Sequence, residues 1–545
     1  MEPTNGRVQG GRLAAQAVKA EGVDAIFTLC GGHVMPIYEG CRLEGVRVID
    51  VRHEQAAAHA AEAWGRMRRA CGVAVATAGP GVTGTVTAVA NCAVAQTPLV
   101  VIGGARPLVQ AEQGALQELD QLSIFKPLTK WSAVCGSAER IPEYVATAFR
   151  HALALPRGPV YLELPMDVLF DEASPAPAAP SRSQARLFGD PKEMMKAADL
   201  LAGAERPLVI AGSAIWWDGA WKQLRSFVEN GRLPVVLQGS ARGALPPDHE
   251  LLFQHARAAG LAGADVVCVV GTGLDFRLRF GRALEDKALV HIHADATELG
   301  RNRAPDASIV ADCAAALGIL ADAVRPPADG RLAWLGTLRD AEEAWRDVHR
   351  AEIESEAAPL HHYRLGAELD RVLDPGTVVI GDGGDVVAAV SRVLRVHRPG
   401  HWLDPGPFGC LGVGPPYAIG VLAAEPRKQV VVVAGDGSLG LNGFELDTLS
   451  RFRMPAVFVV GNDAGWGEIR IPQVGMYGED AEVATRLAPT PYEKLVDVFG
   501  GHAERVERPE ELAPALERAL GSGTVSIVNV MLDPDAMAGH PYRGM

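Results

Sequence analysis

The sequence predicts an α/β protein of three doubly wound domains, each built on a parallel sheet. Short runs of Val and Ile recur along its 545 residues, such as PLVVIGG (98–104) and QVVVVAGDG (429–437). Each run ends in a glycine turn that leads into a helical stretch, and apolar strands alternating with helices are typical of parallel sheets covered on both faces. The chain is also too long for a single hydrophobic core.

Two changes in composition divide the chain. The segment DEASPAPAAPSRSQA (171–185) is rich in Pro, Ala and Ser and has no periodicity, as expected of a linker. A softer break follows a charged helical stretch at 325–359. We therefore predict an N-terminal domain (1–180), a middle domain (186–345) and a C-terminal domain (360–545) whose last residues form a closing segment.

The overall charge and composition exclude several classes of protein. The formal net charge of −14 argues against general binding of nucleic acid or anionic membranes. The first residues lack the apolar stretch of a signal peptide, and the longest apolar runs are too short to span a bilayer. Eight cysteines lie scattered without CxxC spacing, so we expect reduced, buried cysteines and a cytoplasmic protein.

The segment VVVVAGDGSLGLNGFELDTLSRFRMPAVFVVGNDAGWG (430–467) carries the strongest motif. Its glycines 435, 437 and 440 satisfy GxGxxG, the pattern of a dinucleotide-binding turn. Asp436, however, would repel the phosphates at that turn unless a cation lay between them. Asp463 follows the next strand and offers that cation a second oxygen, the kind of ligand that Mg²⁺ prefers. We therefore favour a metal-bridged diphosphate site over a dinucleotide site.

This segment resembles the signature of thiamine diphosphate enzymes, in which a GDG turn is followed, one helix and one strand later, by an Asn-Asn pair. The resemblance implies that Asp436 and Asp463 bind Mg²⁺ through their side chains and Gly465 through its carbonyl. Asp463 departs from the signature, which has Asn, but keeps an oxygen ligand. The same resemblance assigns to the cofactor site the turn residues Gly435, Gly437, Ser438, Trp466 and Gly467.

An acidic residue, Glu54, opens an Ala-rich helix in DVRHEQAAAHAAEAWGR (50–66), after a short strand predicted at 46–51. An acid in the first turn of a helix can simply interact with the helix dipole. The segment nevertheless resembles the activating-glutamate helix of the thiamine diphosphate family. The resemblance implies that Glu54 bonds N1′ of the cofactor's aminopyrimidine and thereby activates it.

Three further segments resemble cofactor contacts of the family. TAGPGVTG (77–84) is similar to the turn against the pyrimidine, and GPFGCLGVGPPYAIG (406–420) to the stretch that holds the cofactor bent. GDGGD (381–385) ends a strand and is expected to open the diphosphate pocket. The residues that these similarities imply are Gly79, Pro80, Asp385, Phe408, Gly409 and Leu411, with Leu411 as the wedge between the two rings.

The stretch GGARPLVQAEQGALQELDQLSIFKPLTKW (103–131) resembles the substrate-side loop of the family, with Leu116 and Gln117 in the pocket. Relatives often have an aromatic residue where Leu116 stands, so the pocket is expected to be roomier and to suit a branched substrate; neutral drift is the alternative. His33 and Gln113 could bond the substrate's oxygens. Glu493 could orient the substrate alcohol or be an ordinary first-turn acid.

The middle domain carries a concentration of arginines, as phosphate binding would require. In relatives this domain binds FAD, ADP or CoA, but an ordinary solvated surface is the alternative. We consider as CoA ligands Arg277, Arg279, Arg282, Arg301, Arg303 and, in the closing segment, Arg543.

Within the superfamily the chain resembles acetolactate synthases, oxalyl-CoA decarboxylases and 2-hydroxyacyl-CoA lyases. We favour a lyase that cleaves a 2-hydroxyacyl-CoA to formyl-CoA and a ketone or aldehyde, similar to the actinobacterial 2-hydroxyisobutyryl-CoA lyases. Alternatives are a carboligase acting on 2-keto acids, a catalytically inactive structural or regulatory relative and, from GxGxxG alone, a nicotinamide dehydrogenase. The resemblance also implies a homodimer or homotetramer, with Glu54 and Asp436 of different subunits serving one cofactor.

Overall fold

The computed structural model describes residues 6–174, 179–180, 183 and 185–537. Three parallel sheets with helices on both faces occupy the chain one after another, which confirms the predicted fold class. The near-continuous Val and Ile runs form the strands. In the strand at 266–270, for example, all five residues are buried, because helices cover both faces of its sheet.

The first sheet has six parallel strands in the order β3-β2-β4-β5-β7-β6, and β1 and β8 form a separate antiparallel pair. The strands are β1 (Val8–Gln9), β2 (Ala25–Thr28), β3 (Arg47–Asp50), β4 (Gly72–Ala76), β5 (Leu99–Ala105), β6 (Ser132–Val134), β7 (Pro159–Pro165) and β8 (Glu172–Ala173). The helices are α1 (Gly10–Ala20), α2 (Met35–Glu44), α3 (Glu54–Arg68), α4 (Pro80–Gly84), α5 (Val86–Val94), α6 (Gln121–Phe125), α7 (Ile141–Leu153) and α8 (Met166–Phe170).

The middle sheet has five parallel strands in the order β10-β9-β11-β12-β13. These are β9 (Pro207–Ala211), β10 (Val235–Leu237), β11 (Val266–Val270), β12 (Ala288–His293) and β13 (Ala307–Val310). Its helices, with the two that lead to the last sheet, are α9 (Pro191–Gly203), α10 (Ala214–Trp217), α11 (Trp221–Gly231), α12 (Arg257–Gly263), α13 (Cys313–Ala323), α14 (Leu332–Val348) and α15 (Arg350–Ile353).

The third sheet has six parallel strands in the order β15-β14-β16-β17-β19-β18. They are β14 (Val378–Asp382), β15 (Trp402–Leu403), β16 (Val430–Gly435), β17 (Val457–Asn462), β18 (His502–Val506) and β19 (Ser526–Met531). The helices are α16 (His362–Val372), α17 (Asp385–Val393), α18 (Gly414–Ala424), α19 (Asp436–Asn442), α20 (Glu445–Arg451), α21 (Gly467–Tyr477) and α22 (Pro509–Gly521).

Helices α3 and α18 pack closely and join the first and third sheets. A side chain at Gly420 would place its Cβ only 2.1 Å from the carbonyl oxygen of Ala60, so glycine is required for this approach. A buried ion pair lies beside the contact, with 2.6 Å between Arg66 Nη2 and Glu62 Oε1, and Asn91 also donates to that carboxylate. This packing fixes the position of α3 and hence of its first residue, Glu54.

The eight cysteines are free, and seven of them are buried as expected. Cys30 is exposed, so the prediction that all eight belong to the core was wrong for this residue; it follows β2 in the loop at the carboxyl edge of the first sheet. Among the described residues, no helix is both long and apolar enough to cross a membrane.

Candidate cofactor and active site

Two aspartates stand at the carboxyl ends of neighbouring parallel strands. Asp436 begins α19 directly after β16, and Asp463 directly follows β17. One carboxylate oxygen of each, Oδ2, is buried and has no hydrogen-bond partner among the described residues. Burial raises the pKa of Asp436 to about 7, and burial together with the neighbouring Asp385 and Asp436 raises that of Asp463 to about 8. Such oxygens are suited to a divalent cation, which would replace the missing partners.

Glycines allow close packing around the turn that carries Asp436. Gly383, with φ of +147°, lies against the backbone nitrogen of Gly435, where a Cβ would be 3.1 Å away. The indole of Trp466 lies on Gly437, where a Cβ would be 2.6 Å from the ring. Ser438 is buried on the same turn. The arrangement fits a diphosphate group that a cation joins to the Asp436 carboxylate at the start of α19.

The turn after β17 brings the backbone of Gly465 to the aspartates. Ala464 adopts a left-handed φ of +54°, and Trp466 donates its backbone N–H to the carbonyl of Thr485 at 2.8 Å. The backbone N–H of Gly437 donates to Oδ1 of Asp436 at 2.7 Å, and this bond, with smaller effects of the Gly465 and Ala464 backbone, opposes the effect of burial on the pKa of Asp436. Gly465 is therefore placed beside both predicted metal ligands.

Asp382, the first aspartate of GDGGD, holds the loop that contains Leu411. Its buried carboxylate accepts the backbone N–H of Gly412 at 2.8 Å and of Gly414 at 2.7 Å. Burial raises its pKa to about 6. Asp382 is not among the residues predicted from the sequence, although a carboxylate that ends an apolar strand beside glycines could have indicated a functional residue.

The three predicted cofactor contacts on this loop differ in exposure. Leu411 is half-buried, whereas Phe408 and Gly409 are exposed, and Gly409 has a left-handed φ of +71°.

Glu54 lies against α4, the helix that follows the GPG turn. A Cβ at Gly84 would be 3.1 Å from one carboxylate oxygen of Glu54, and one at Gly81 would be 3.5 Å from the other. Glycines at these two positions therefore leave the carboxylate open. Pro80 begins α4 and is exposed.

Gln121 fixes the position of the GPG turn, a role that the sequence analysis missed. Its buried side-chain oxygen accepts the backbone N–H of Gly79 at 2.6 Å. Its nitrogen donates to the carbonyl of Gly104 at 3.0 Å, to Tyr161 at 3.1 Å and to Glu163 at 2.9 Å. A buried amide with four polar neighbours is not recognisable without the fold.

His33 is buried in a 3₁₀ turn at the carboxyl edge of the first sheet. Its Nδ1 lies 3.1 Å from Oγ1 of Thr77, and its side chain packs on Gly104. Burial lowers the pKa of His33, and a bond to the backbone of Leu116 opposes this only in part. The imidazole is therefore neutral at pH 7 and lies between the GPG segment and the substrate-side loop.

The substrate-side loop is organised around Glu118. Its carboxylate accepts the backbone N–H groups of Glu112, Gly114 and Ala115 and lies 2.7 Å from Nε of Arg106. The bond to Glu112 and the pairing with Arg106 are the largest causes that lower its pKa to about 2.

The predicted pocket residues of this loop take different positions. Leu116 is 77% exposed, and Gln117 packs on Gly79 with a left-handed φ of +60°. Gln113 is exposed and donates to the carbonyl of Val109 at 3.0 Å. The structure thus brings Leu116 and Gln117 to His33 and the GPG turn, whereas Gln113 lies on the outer part of the loop.

Glu493 lies in a 3₁₀ segment (Tyr492–Phe499) and not in the expected α-helix. Its buried carboxylate accepts a hydrogen bond from Asn529 at 2.6 Å and lies 4.0 Å from Arg505. These contacts place Glu493 at the β18–β19 edge of the sheet.

Several arginines of the middle domain are engaged within the chain. Arg277 lies 2.6 Å from Asp275, Arg301 lies 2.8 Å from Glu298, and Arg303 donates to the carbonyl of Lys287. Arg279 and Arg282 are exposed. The sixth predicted ligand, Arg543, lies outside the described residues.

Comparisons with known proteins agree with this site. Residues 8–124 match the thiamine pyrophosphate enzyme N-terminal TPP binding domain, 194–320 the central domain and 382–530 the C-terminal TPP binding domain. The chain is 41% identical over 541 residues to a "Probable acetolactate synthase" of Mycobacterium bovis, covering 98% of this chain and 97% of the relative.

Two further relatives are named for a different activity. The chain is 34% identical to the "2-hydroxyacyl-CoA lyase 2" of Caenorhabditis elegans, over 96% of this chain and 89% of the relative. It is 34% identical to that of Homo sapiens, over 92% and 86%. The chain therefore belongs to the thiamine pyrophosphate enzyme family, in the group that forms or cleaves carbon–carbon bonds and that includes acetolactate synthases and 2-hydroxyacyl-CoA lyases.

Proposed function

We propose that the protein is a 2-hydroxyacyl-CoA lyase that releases formyl-CoA and a ketone or aldehyde. The observation that carries this proposal is the position of the buried His33, whose Nδ1 lies 3.1 Å from Oγ1 of Thr77, in the same region as the exposed Leu116. Cleavage next to a 2-hydroxyl group requires a base for the hydroxyl proton, and a neutral imidazole is such a base at pH 7. The open side of Leu116 leaves room for a branched carbon such as that of 2-hydroxyisobutyryl-CoA.

Thiamine diphosphate, when bound, supplies a carbon nucleophile for the carbonyl and accepts the electron pair of the broken bond. Glu54 would hold a proton at N1′ of its pyrimidine ring. His33 would take the proton of the substrate's hydroxyl, with Thr77 fixing the ring by the bond to Nδ1. Leu116 and Gln117 would line the space in which the leaving carbonyl compound forms.

We propose Mg²⁺ as the ion that joins the diphosphate to the protein. Asp436 and Asp463 would each supply a carboxylate oxygen and Gly465 its carbonyl, a hard oxygen set of the kind Mg²⁺ prefers. The buried Oδ2 of Asp436, which has no hydrogen-bond partner among the described residues, supports this assignment.

We propose that the enzyme is a homodimer or homotetramer with the cofactor between subunits. Within one chain the backbone N–H of His53, next to Glu54, donates to Glu445 at 3.2 Å, so the start of α3 faces α20. Asp436 lies at the far end of the preceding helix, α19. Exposed apolar side chains at the junction of these helices, Leu441 (51%) and Phe444 (73%), support burial against a second copy.

The proposed CoA site has weaker support in the middle domain. Arg279 and Arg282 are exposed and could meet phosphates, but Arg277 and Arg301 already have carboxylate partners. An acyl-CoA substrate is supported mainly by the lyase relatives at 34% identity.

A carboligase acting on 2-keto acids is the second candidate function. It is favoured by the higher identity, 41%, to the relative named a probable acetolactate synthase. The fold and the cofactor residues serve both reactions equally.

A parallel assay separates the candidates. Purified enzyme with thiamine diphosphate and Mg²⁺ is given 2-hydroxyisobutyryl-CoA, a linear 2-hydroxyacyl-CoA, oxalyl-CoA and pyruvate, and products are identified by mass spectrometry. Formyl-CoA from the 2-hydroxyacyl-CoA substrates supports the lyase. Acetolactate from pyruvate, with no turnover of the acyl-CoA compounds, would replace the lyase with the carboligase.

A further inference from the structure

A second cluster of ligating atoms lies beside the proposed magnesium site. His362 begins α16, Asp385 begins α17, and Asp463 follows β17. One ligand atom from each lies within 4.8 Å of the other two, and Nε2 of His362 is 3.8 Å from Oδ2 of Asp385. His362 and Asp463 are buried, and Asp385 is largely so.

Two carboxylate oxygens in this cluster point into one space. Oδ2 of Asp385 and Oδ2 of Asp463 are buried and have no hydrogen-bond partner among the described residues. A Cβ at Gly467 would lie 2.0 Å from the first and 2.6 Å from the second, so glycine keeps this space open. Two ionised carboxylates facing each other away from water repel, and a cation between them removes this repulsion.

Arg470 of α21 does not cancel the charge of these carboxylates. Burial raises the pKa of Asp385, and Arg470 opposes this only in part. Its guanidinium lies 3.1 Å from Glu482 and 2.9 Å from Asp535. Arg470 is therefore already paired with these two carboxylates.

We infer that His362, Asp385 and Asp463 bind a second divalent cation, with Asp463 bridging it to the magnesium of the cofactor. An imidazole with two carboxylates is a mixed set that suits Mn²⁺, Co²⁺ or Zn²⁺ better than Mg²⁺. Ligand atoms about 2.1 Å from a common ion are at most about 4.2 Å apart. The His362–Asp385 separation of 3.8 Å already meets this limit, and small side-chain movements bring Asp463 within it.

The proposed second site explains why residue 463 is an aspartate. An asparagine, as in the family signature, offers one carbonyl oxygen and therefore serves one cation. An aspartate offers two oxygens and can serve a cation on each side. The departure from the signature is thus the feature that permits two ions.

The experiment counts bound Mn²⁺ per chain in the presence of saturating thiamine diphosphate. Chelator-treated protein is titrated with Mn²⁺, free ion is measured by electron paramagnetic resonance, and total bound metal by mass spectrometry. We expect two ions per chain in the parent, with a spin-coupled spectrum from the shared carboxylate. His362→Gln and Asp463→Asn should each bind one ion and lose the coupling, and His397→Gln should still bind two.

The counts also separate this inference from the magnesium proposal on which the bridge rests. One ion in the parent and one in His362→Gln would overturn the second site, as would two ions in both. One ion in the parent and none in His362→Gln would support the second site and overturn the magnesium site. If circular dichroism shows that His362→Gln does not fold, Asp385→Asn replaces it in the same comparison.

Discussion

The side-chain oxygen of Gln121 accepts the backbone N–H of Gly79 at 2.6 Å and so ties the GPG turn to the centre of the first sheet. Since Gln121 is buried, Gln121→Leu leaves the backbone N–H of Gly79 without its partner and removes the donor to the Gly104 carbonyl, Tyr161 and Glu163. Each unsatisfied buried group costs about 1–3 kcal/mol. We expect a loss of about 2–4 kcal/mol in the free energy of unfolding, measured with urea. The exposed Gln110→Leu is the control, and equal stability of both variants would contradict the role of Gln121.

Glu54→Gln tests the activation of the cofactor. An amide cannot hold the proton at N1′, so turnover should fall by at least about a hundredfold, within the range of acid–base effects. Cofactor affinity, measured by calorimetry with Mg²⁺, should change little, because the proposed diphosphate site lies at the third sheet. Glu143→Gln, an exposed acid of α7, is the control. Near-normal turnover in Glu54→Gln would remove Glu54 from the mechanism.

The pKa values of about 7 and 8 at Asp436 and Asp463 predict a pH dependence. Both are raised above the ordinary value of about 4, so the metal-free protein gains stability from the protonated forms at low pH and loses it progressively as pH rises from about 4 to about 8. Thermal melts of metal-free protein should therefore shift downward from about pH 5 to about pH 8 and change little above that.

Metal binding should show the opposite trend. The ion requires deprotonated carboxylates, so Mg²⁺-dependent cofactor affinity should fall by up to about tenfold per pH unit per proton below pH 7. Calorimetry in buffers of different ionisation enthalpy should detect proton release. Affinity that is constant from pH 6 to 8 would show that the aspartates are already ionised.

Leu116→Phe tests the choice of substrate. Leu116 is 77% exposed, so the added ring should cost little in the free protein. Where it crowds a bound branched carbon it should cost about 1–3 kcal/mol, and each 1.4 kcal/mol is about tenfold in rate. The ratio of kcat/KM for 2-hydroxyisobutyryl-CoA over a linear 2-hydroxyacyl-CoA should therefore fall about tenfold. An equal decline with both substrates would mean that Leu116 does not select for branching.

The sequence by itself determined the strands and the motifs, because their residues are close together along the chain. Apolar runs such as 266–270 predict buried parallel strands because strand burial follows from the residues themselves. Asp436 and Asp463 were predictable as neighbours because parallel strands place their carboxyl ends along one edge. The family resemblance of the GDG segment added the cofactor.

Only the tertiary structure decided which groups meet across elements. Gln121 reaches Gly79 from a separate helix, and Asp382 reaches Gly412 across 30 positions of the chain. The His362–Asp385 contact likewise joins the starts of two helices. No periodicity encodes such contacts, because they depend on how whole helices and sheets pack. Their bonds are nevertheless what hold the turns of the site in place.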